Sequence, residues 1–176
     1  VEAARQPNLV FLCTGNAARS VMAALMFRSR CSHFRISGAG THALPGHPMS
    51  VRTRRALATV GLADPTHRSV QLDAIDVSRA DAVIAMAPEH VAYVRRVHPE
   101  GAPRTATIKR LVRDLPPPDG RSVAERLLDL DLHAVELEPW EEVVDPAGGE
   151  QPDYDACAAE LDVLVRRLHE VLGCPG

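Results

Sequence analysis

Short apolar runs alternate with amphipathic stretches along the whole chain. Asn8-Leu-Val-Phe-Leu-Cys13, bounded by Pro7 and Gly15, has the profile of a strand buried on both faces. The chain then turns through Thr14 to Arg19. Ser20 is a good N-cap for a helix from Val21 to Cys31, with Met22, Leu25 and Met26 on one face. Phe34 to Ser37 predicts a second strand that runs into a Gly38-Ala-Gly40 loop, and Ser50 caps a helix ending at Gly61. Ala80 to Ala87 is another buried strand, and Pro88 suits the first turn of a helix carrying Val91, Val94 and Val97. After Ile108 the pattern weakens into Leu115-Pro-Pro-Pro-Asp-Gly120, a surface break, before a helix over Ser122 to Leu132. The last element is the clearest. Tyr154, Cys157, Leu161, Leu164, Leu168 and Leu172 recur at intervals of three and four, a wide apolar stripe on a helix of about five turns.

This alternation predicts an α/β fold: a parallel sheet with helices on both faces, binding its ligand at the carboxyl ends of the strands. The 176 residues suit a single domain. We expect residues 1–7 to be an N-terminal extension, 8–172 the domain with a helical insert at about 116–144, and 173–176 a C-terminal tail.

Composition adds exclusions. Hydrophobic residues at 45% and charged residues at 24% are ordinary globular usage, which argues against disorder or a fibrous repeat. A net charge of -3 lacks the basic excess of a protein that grips a phosphate backbone, so nucleic acid is not an expected partner. No apolar run is long enough to span a membrane and the N-terminus lacks signal architecture, so a membrane is not expected either. Cys13, Cys31, Cys157 and Cys174 have neither the density of a disulfide scaffold nor a C-x2-C metal spacing. Free thiols in a reducing cytoplasm, and no metal, are the expectation.

The chemistry concentrates in Cys13-Thr-Gly-Asn-Ala-Ala-Arg19-Ser20, between the first strand and the first helix. A phosphate needs many donors in a small concavity, and a tight loop closing on a helix N-terminus supplies successive backbone N–H groups. Arg19 adds a planar fork that binds two phosphoryl oxygens together. Gly15 and Asn16 tolerate the left-handed backbone such a loop needs. Cys13 at its floor would meet amide dipoles, the helix end, Arg19 and the Ser20 hydroxyl, all of which favour thiolate over thiol. The competing reading is a buried strand-end Cys with a surface Arg nearby. Asp145, in Val143-Val-Asp-Pro-Ala-Gly-Gly149, is either part of an ordinary turn or a carboxyl hung over the loop to protonate a leaving group.

Cys13-Thr-Gly-Asn-x-x-Arg19-Ser20, Ser37-Gly-Ala-Gly-Thr41, His67-Arg-Ser-x-x-Leu72 and Asp145-Pro-x-Gly-Gly, in this order, resemble the low-molecular-weight protein tyrosine phosphatases over about residues 8 to 172. The resemblance implies a four-stranded parallel sheet, no metal or other cofactor, and a two-step mechanism through a cysteinyl phosphate. Cys13 would attack, and Arg19 with Thr14, Gly15, Asn16, Ala17, Ala18 and Ser20 would hold the phosphate. Asp145 would protonate the leaving group and then activate water. Ser20 would stabilise the thiolate, while Asn16, Ser37 and His67 would form the network bracing the loop. Without the resemblance, His67 reads equally as a surface turn residue. The implied substrate is a phosphorylated protein or small phosphomonoester, by default protein phosphotyrosine.

The chain also departs from that pattern. Ala18 stands where many members carry a second Cys, and Ala43, Leu44 and Ala147 stand where aromatic walls are usual. The stretch from about Pro116 to Val144 is longer than expected and holds Trp140, either a replacement wall or part of an added surface helix. Three alternatives accompany the main reading. An arsenate reductase would need resolving thiols, for which Cys31, Cys157 and Cys174 have no recognisable placement. A non-catalytic oxyanion-binding module is favoured if Asp145 faces away from the loop. Phosphoarginine is an alternative substrate, although some bacterial relatives that cleave it carry Thr where this chain has Ala17.

Overall fold

The computed structural model describes residues 5–174. Four parallel strands, β1 (Asn8–Cys13), β2 (Arg35–Gly40), β3 (Ala82–Ala85) and β4 (Thr105–Thr107), form one sheet in the order β2-β1-β3-β4. Central β1 pairs on both sides, with Leu9 opposite Ile36 of β2 and Ala82 of β3. Successive side chains of a strand point to opposite faces. Leu9 and Phe11 therefore enter one core layer, with Met22 and Phe27 of α1 (Arg19–Arg28), Leu57 of α2 (Val51–Thr59) and Leu161 of α7 (Gln151–Leu172). Val10 and Leu12 enter the other, against Val77 of α3 (Ala74–Arg79) and Val94 of α4 (Pro88–Val97). Two layers of helices on a parallel sheet is the architecture the strand–helix alternation predicts.

Several boundaries differ from expectation for physical reasons. Helix α1 starts at Arg19 with Ala18 in the cap position and no side-chain cap, so Ser20 lies inside the helix and does not cap it. Strand β2 continues through Gly38-Ala-Gly40, which was expected as loop. Strand β4 is only Thr-Ala-Thr, too short to carry a period, and its burial comes from its neighbours. Helices α3 and α5 (Ile108–Asp114) left no clear stripe, at six and seven residues. Helix α6 (Val123–Leu128) ends before the expected Leu132, and α7 runs for 22 residues, longer than expected. Trp140 lies in a short 3-10 turn, Pro139–Glu141, with the Arg113 guanidinium 3.9 Å from its ring centroid. It is therefore on an irregular segment and not on the added helix.

The cysteine expectation needs correction. Cys31 and Cys174 are joined as a disulfide, their Cα atoms 6.0 Å apart and 143 residues apart in sequence. This ties Cys174, expected in a tail, to the chain just beyond α1, a juxtaposition that spacing in the sequence does not reveal. Residues 1–4 of the expected N-terminal extension and 175–176 of the tail lie outside the described residues. At the other end, Arg5 pairs with Asp81 at 2.6 Å, and the Arg35 N–H donates to the Pro7 carbonyl at 2.8 Å. Among the described residues no helix is long and apolar enough to cross a membrane.

The carboxyl end of β2 passes directly beneath the loop that follows β1. A Cβ on Gly40 would sit 2.5 Å from the Thr14 carbonyl oxygen and 3.0 Å from the Asn16 nitrogen, both backbone atoms. Neither can move without deforming the loop. Gly40→Ala is accordingly expected to destabilise the protein by about 1–3 kcal/mol, the usual range for overpacking. Thermal melts followed by circular dichroism check this, and an unchanged melting temperature would contradict the close approach.

Candidate active site

The loop from Cys13 to Arg19 is held from outside by its carbonyls. Those of Cys13 and Thr14 accept the backbone N–H groups of Thr41 and His42, each at 2.9 Å. The Asn16 carbonyl accepts from His67 Nε2 and from the Ser69 hydroxyl, each at 2.9 Å. The Ala17 carbonyl accepts the hydroxyl of buried Thr53 on α2 at 3.0 Å. C=O and N–H point in opposite directions across a trans peptide. Tethering the Thr14, Asn16 and Ala17 carbonyls outward therefore turns the N–H groups of Gly15, Ala17 and Ala18 toward the concave side, an anion cradle of backbone donors. Asn16 makes the reversal in the left-handed region, at φ 49°.

Asn16 also orients the nucleophile. The Val70 N–H donates to Asn16 Oδ1 at 3.0 Å, which fixes the amide so that Nδ2 faces inward. Nδ2 donates to the Ser20 hydroxyl oxygen at 3.0 Å, and that hydroxyl lies 3.0 Å from Cys13 Sγ. With its oxygen already accepting from Asn16, Ser20 has its own proton to offer the sulfur, a hydrogen bond that aims the Cys13 side chain. All three side chains are buried.

Arg19 is 2% exposed and is aimed by two contacts beyond the loop. Nη1 donates to the Val143 carbonyl at 3.0 Å, and Nη2 donates to Asp145 Oδ2 at 2.7 Å. The Asp145 carboxyl is 41% exposed, so it faces the loop and also meets solvent. Its segment is anchored by the Val143 N–H, which donates to the Met86 carbonyl beyond β3 at 2.8 Å. A buried ion pair anchors it further. Arg110 grips Glu141 with both arms of its fork, at 2.5 and 3.0 Å, and the Thr107 hydroxyl donates to the same carboxylate at 2.7 Å. Burial pushes the Glu141 carboxyl up, but the Arg110 fork, the Thr107 hydroxyl and the Glu138 N–H outweigh it and hold it below its ordinary value.

Thr14 connects the loop to α4. Its hydroxyl lies 3.0 Å from His90 Nε2 and 3.5 Å from Arg19 Nη2. Burial first, then the charges of Arg19 and His42, pushes the His90 ring down to about 3, so it is neutral at ordinary pH. The cavity above Cys13 has a volume of about 230 Å³. Its walls away from the polar groups are Ala17, Ala18 and Ala147, with no aromatic ring among the lining residues.

The structure thus brings together Cys13, Thr14, Gly15, Asn16, Ala17, Ala18, Arg19, Ser20, His67 and Asp145. Ser37 is the exception. It is exposed on β2 and makes no side-chain hydrogen bond to the loop; Ser69, in the same segment as His67, takes the bracing position expected of it. Trp140 stacks on Arg113 and does not line the cavity, so the replacement wall is not formed. Sequence reasoning missed Thr53, Ser69 and His90. Ser69 lay within the quoted His67-Arg-Ser motif; Thr53 and His90 carry no local signal because their partners are distant in sequence. Among the described residues, the one cluster of three or more His, Cys, Asp or Glu side chains able to converge on a metal ion is Cys31, His169 and Cys174, beyond the far end of α1 from the loop.

Comparison with known proteins accords with this geometry. The family model described as low molecular weight phosphotyrosine protein phosphatase matches residues 8–122. The chain is 30% identical to the protein-arginine-phosphatase of Geobacillus stearothermophilus, across 93% of this chain and 95% of that protein. It is 27% identical to low molecular weight protein-tyrosine phosphatase A of Mycobacterium tuberculosis, across 93% and 90%. Among solved structures, the YwlE arginine phosphatase of Geobacillus stearothermophilus superposes with a TM-score of 0.75 at 29% identity, covering 93% of this chain and 91% of that one. The low molecular weight protein tyrosine phosphatase of T. tengcongensis superposes with a TM-score of 0.74 at 28% identity, covering 93% and 98%. With a family match over most of its length and a cysteine cradled at the end of β1, the chain belongs to the low molecular weight phosphotyrosine protein phosphatases and is a cysteine-based phosphatase.

Proposed function

We propose that Cys13 is the nucleophile, Arg19 the phosphoryl clamp and Asp145 the acid and base, acting on protein phosphotyrosine. In the first step the Cys13 thiolate attacks phosphorus; the S–P bond forms as the P–O bond breaks, and the Asp145 carboxyl gives its proton to the leaving oxygen. In the second step Asp145, now a carboxylate, takes a proton from water as that water attacks phosphorus. Phosphate leaves and the thiolate returns. Backbone N–H groups and the Arg19 fork stabilise the charge on the equatorial oxygens in both steps.

The observation that carries the reading is the chain Val70–Asn16–Ser20–Cys13 meeting Arg19 paired to Asp145 at 2.7 Å. Arriving phosphoryl oxygens compete for the same guanidinium, which releases the carboxyl toward the leaving group. The contact between Asp145 and Arg19 also disfavours a mere oxyanion-binding module. Arsenate reduction is disfavoured because Cys31 and Cys174 lie together beyond the far end of α1 from Cys13, and burial pushes the Cys157 thiol up to about 12, a poor resolving thiolate. A reducing, cytoplasmic setting, in which the Cys13 thiol stays available, goes with this reading.

Phosphoarginine is a second reading, favoured by small walls that offer a phenyl ring nothing to stack on and by the likeness to an arginine phosphatase. Matched peptides carrying phosphotyrosine or phosphoarginine, compared by kcat/KM, decide between them. The first reading expects the higher value for phosphotyrosine; a higher value for phosphoarginine would replace it with the second.

Asp145 is tested by leaving group. Asp145→Asn is expected to lower kcat/KM, which reports phosphoryl transfer to Cys13 and not the later hydrolysis of the shared intermediate, by about 10²-fold or more for phenyl phosphate, the lower end of general-acid contributions, with a much smaller loss for p-nitrophenyl phosphate, whose leaving group needs no proton. Equal losses on the two esters would show that Asp145 is only a structural partner of Arg19.

A further inference from the structure

The two ends of α1 do different things. Its N-terminus closes the cradle, while the chain just beyond its C-terminus meets the end of α7 about 15 Å away, at 1.5 Å per residue over its ten residues. There Cys31, His169 and Cys174 offer donor atoms that all lie within 4.8 Å of one another.

The geometry is built by the helix ends. Gly173 takes the left-handed conformation at φ 77° and ends α7. The next N–H, that of Cys174, turns back to the His169 carbonyl at 3.1 Å, which sets a His-x4-Cys pair on one turn. Two ligands separated by four intervening residues, with a third from a distant segment, is a familiar way to build a zinc site. The His169 tautomer is set by a backbone carbonyl. Its Nε2 lies 3.2 Å from the Arg30 carbonyl, which can only accept, so the proton sits on Nε2 and Nδ1 keeps its lone pair. The ring is packed beside Phe27. The carbonyl end of α7 also favours a cation.

We propose that in the reduced protein Cys31, His169 and Cys174 bind one divalent zinc-class cation, with water as the fourth ligand. The disulfide is the oxidised, metal-free form of the same site. A dithiol reductant opens it by exchange, closing its own disulfide as the two cysteines take up its two hydrogens; the metal ion then displaces both thiol protons. Like the disulfide, the bound ion would link the end of α1 to the end of α7, and the inference is independent of which phosphorylated side chain the cradle accepts.

The test uses the full chain with Cys13→Ser, which removes the cradle thiolate as a competing ligand. After anaerobic reduction and removal of the reductant, Co²⁺ is titrated in and followed by its sulfur charge-transfer and tetrahedral absorption bands. One Co²⁺ per chain is expected, displaced by Zn²⁺, absent from the oxidised protein and lost in Cys31→Ser and Cys174→Ser. His169→Gln should weaken binding by about tenfold or more, at least the loss typical of an outer-shell change. Cys174 lies beyond the end of α7, so Cys174→Ser keeps the test valid if Cys31→Ser, in the core, misfolds. Reduced protein with both thiols free that gives no such bands, or bands that survive Cys174→Ser, would overturn the proposal.

Discussion

One side chain, Asn16, is tied to nearly everything the active loop does. Its backbone occupies the left-handed region, its carbonyl is tethered by His67 and Ser69, and its amide passes a fixed orientation from the Val70 N–H to Ser20. The amide is 1% exposed, so each of these polar groups must be satisfied within the protein. The carbonyl is doubly held, but removing the Ser20 hydroxyl would leave the buried Asn16 Nδ2 unpaired, a loss of roughly 1–3 kcal/mol. The arrangement is therefore nearly all-or-none. A loop that is formed has its amides on the concave side and a Ser20 proton available to the sulfur.

The sheet makes this possible by leaving space. Strands β1 and β2 end side by side, and Gly38 and Gly40 keep β2 low enough for Asn16 and Thr14 to pass over it. The acid loop is positioned by a different principle. Glu141, fully buried, is held by Arg110 and Thr107, and the next residues run past the end of β3 to bring Asp145 within 2.7 Å of Arg19. An ion pair in the core is an expensive way to stabilise a fold, but losing one partner strands the other charge, which makes it an effective locator.

What the sequence disclosed follows from how local each signal is. Strand β1 was legible because every one of its side chains but the first is buried. The Cys13 to Ser20 loop was legible because a cradle needs Gly, Asn and Arg in close succession. Asp145 could be read only as a turn or an acid, because its placement rests on Glu141 meeting Arg110, 31 residues away. Ser20 has two readings in the sequence, a helix cap and, from the resemblance, the hydroxyl beside the nucleophile; its side chain meets Cys13 and Asn16 on the preceding loop, and the helix has no side-chain cap. The error at Ser37 came from resemblance alone, with Ser69 taking the bracing position. The pairing of Cys31 with Cys174 had no local signature, since it depends on where α1 and α7 end.

The central claim is that Cys13 becomes covalently phosphorylated. The direct measurement is rapid acid quenching of the enzyme during turnover of an aryl phosphate, followed by peptide mass spectrometry. Phosphate on the Cys13 peptide, increased in Asp145→Asn with p-nitrophenyl phosphate because hydrolysis of the intermediate is slowed while its formation needs no acid, is the predicted result. Full turnover with no phosphorylated Cys13 at any quench time, or turnover retained in Cys13→Ser, would contradict the account.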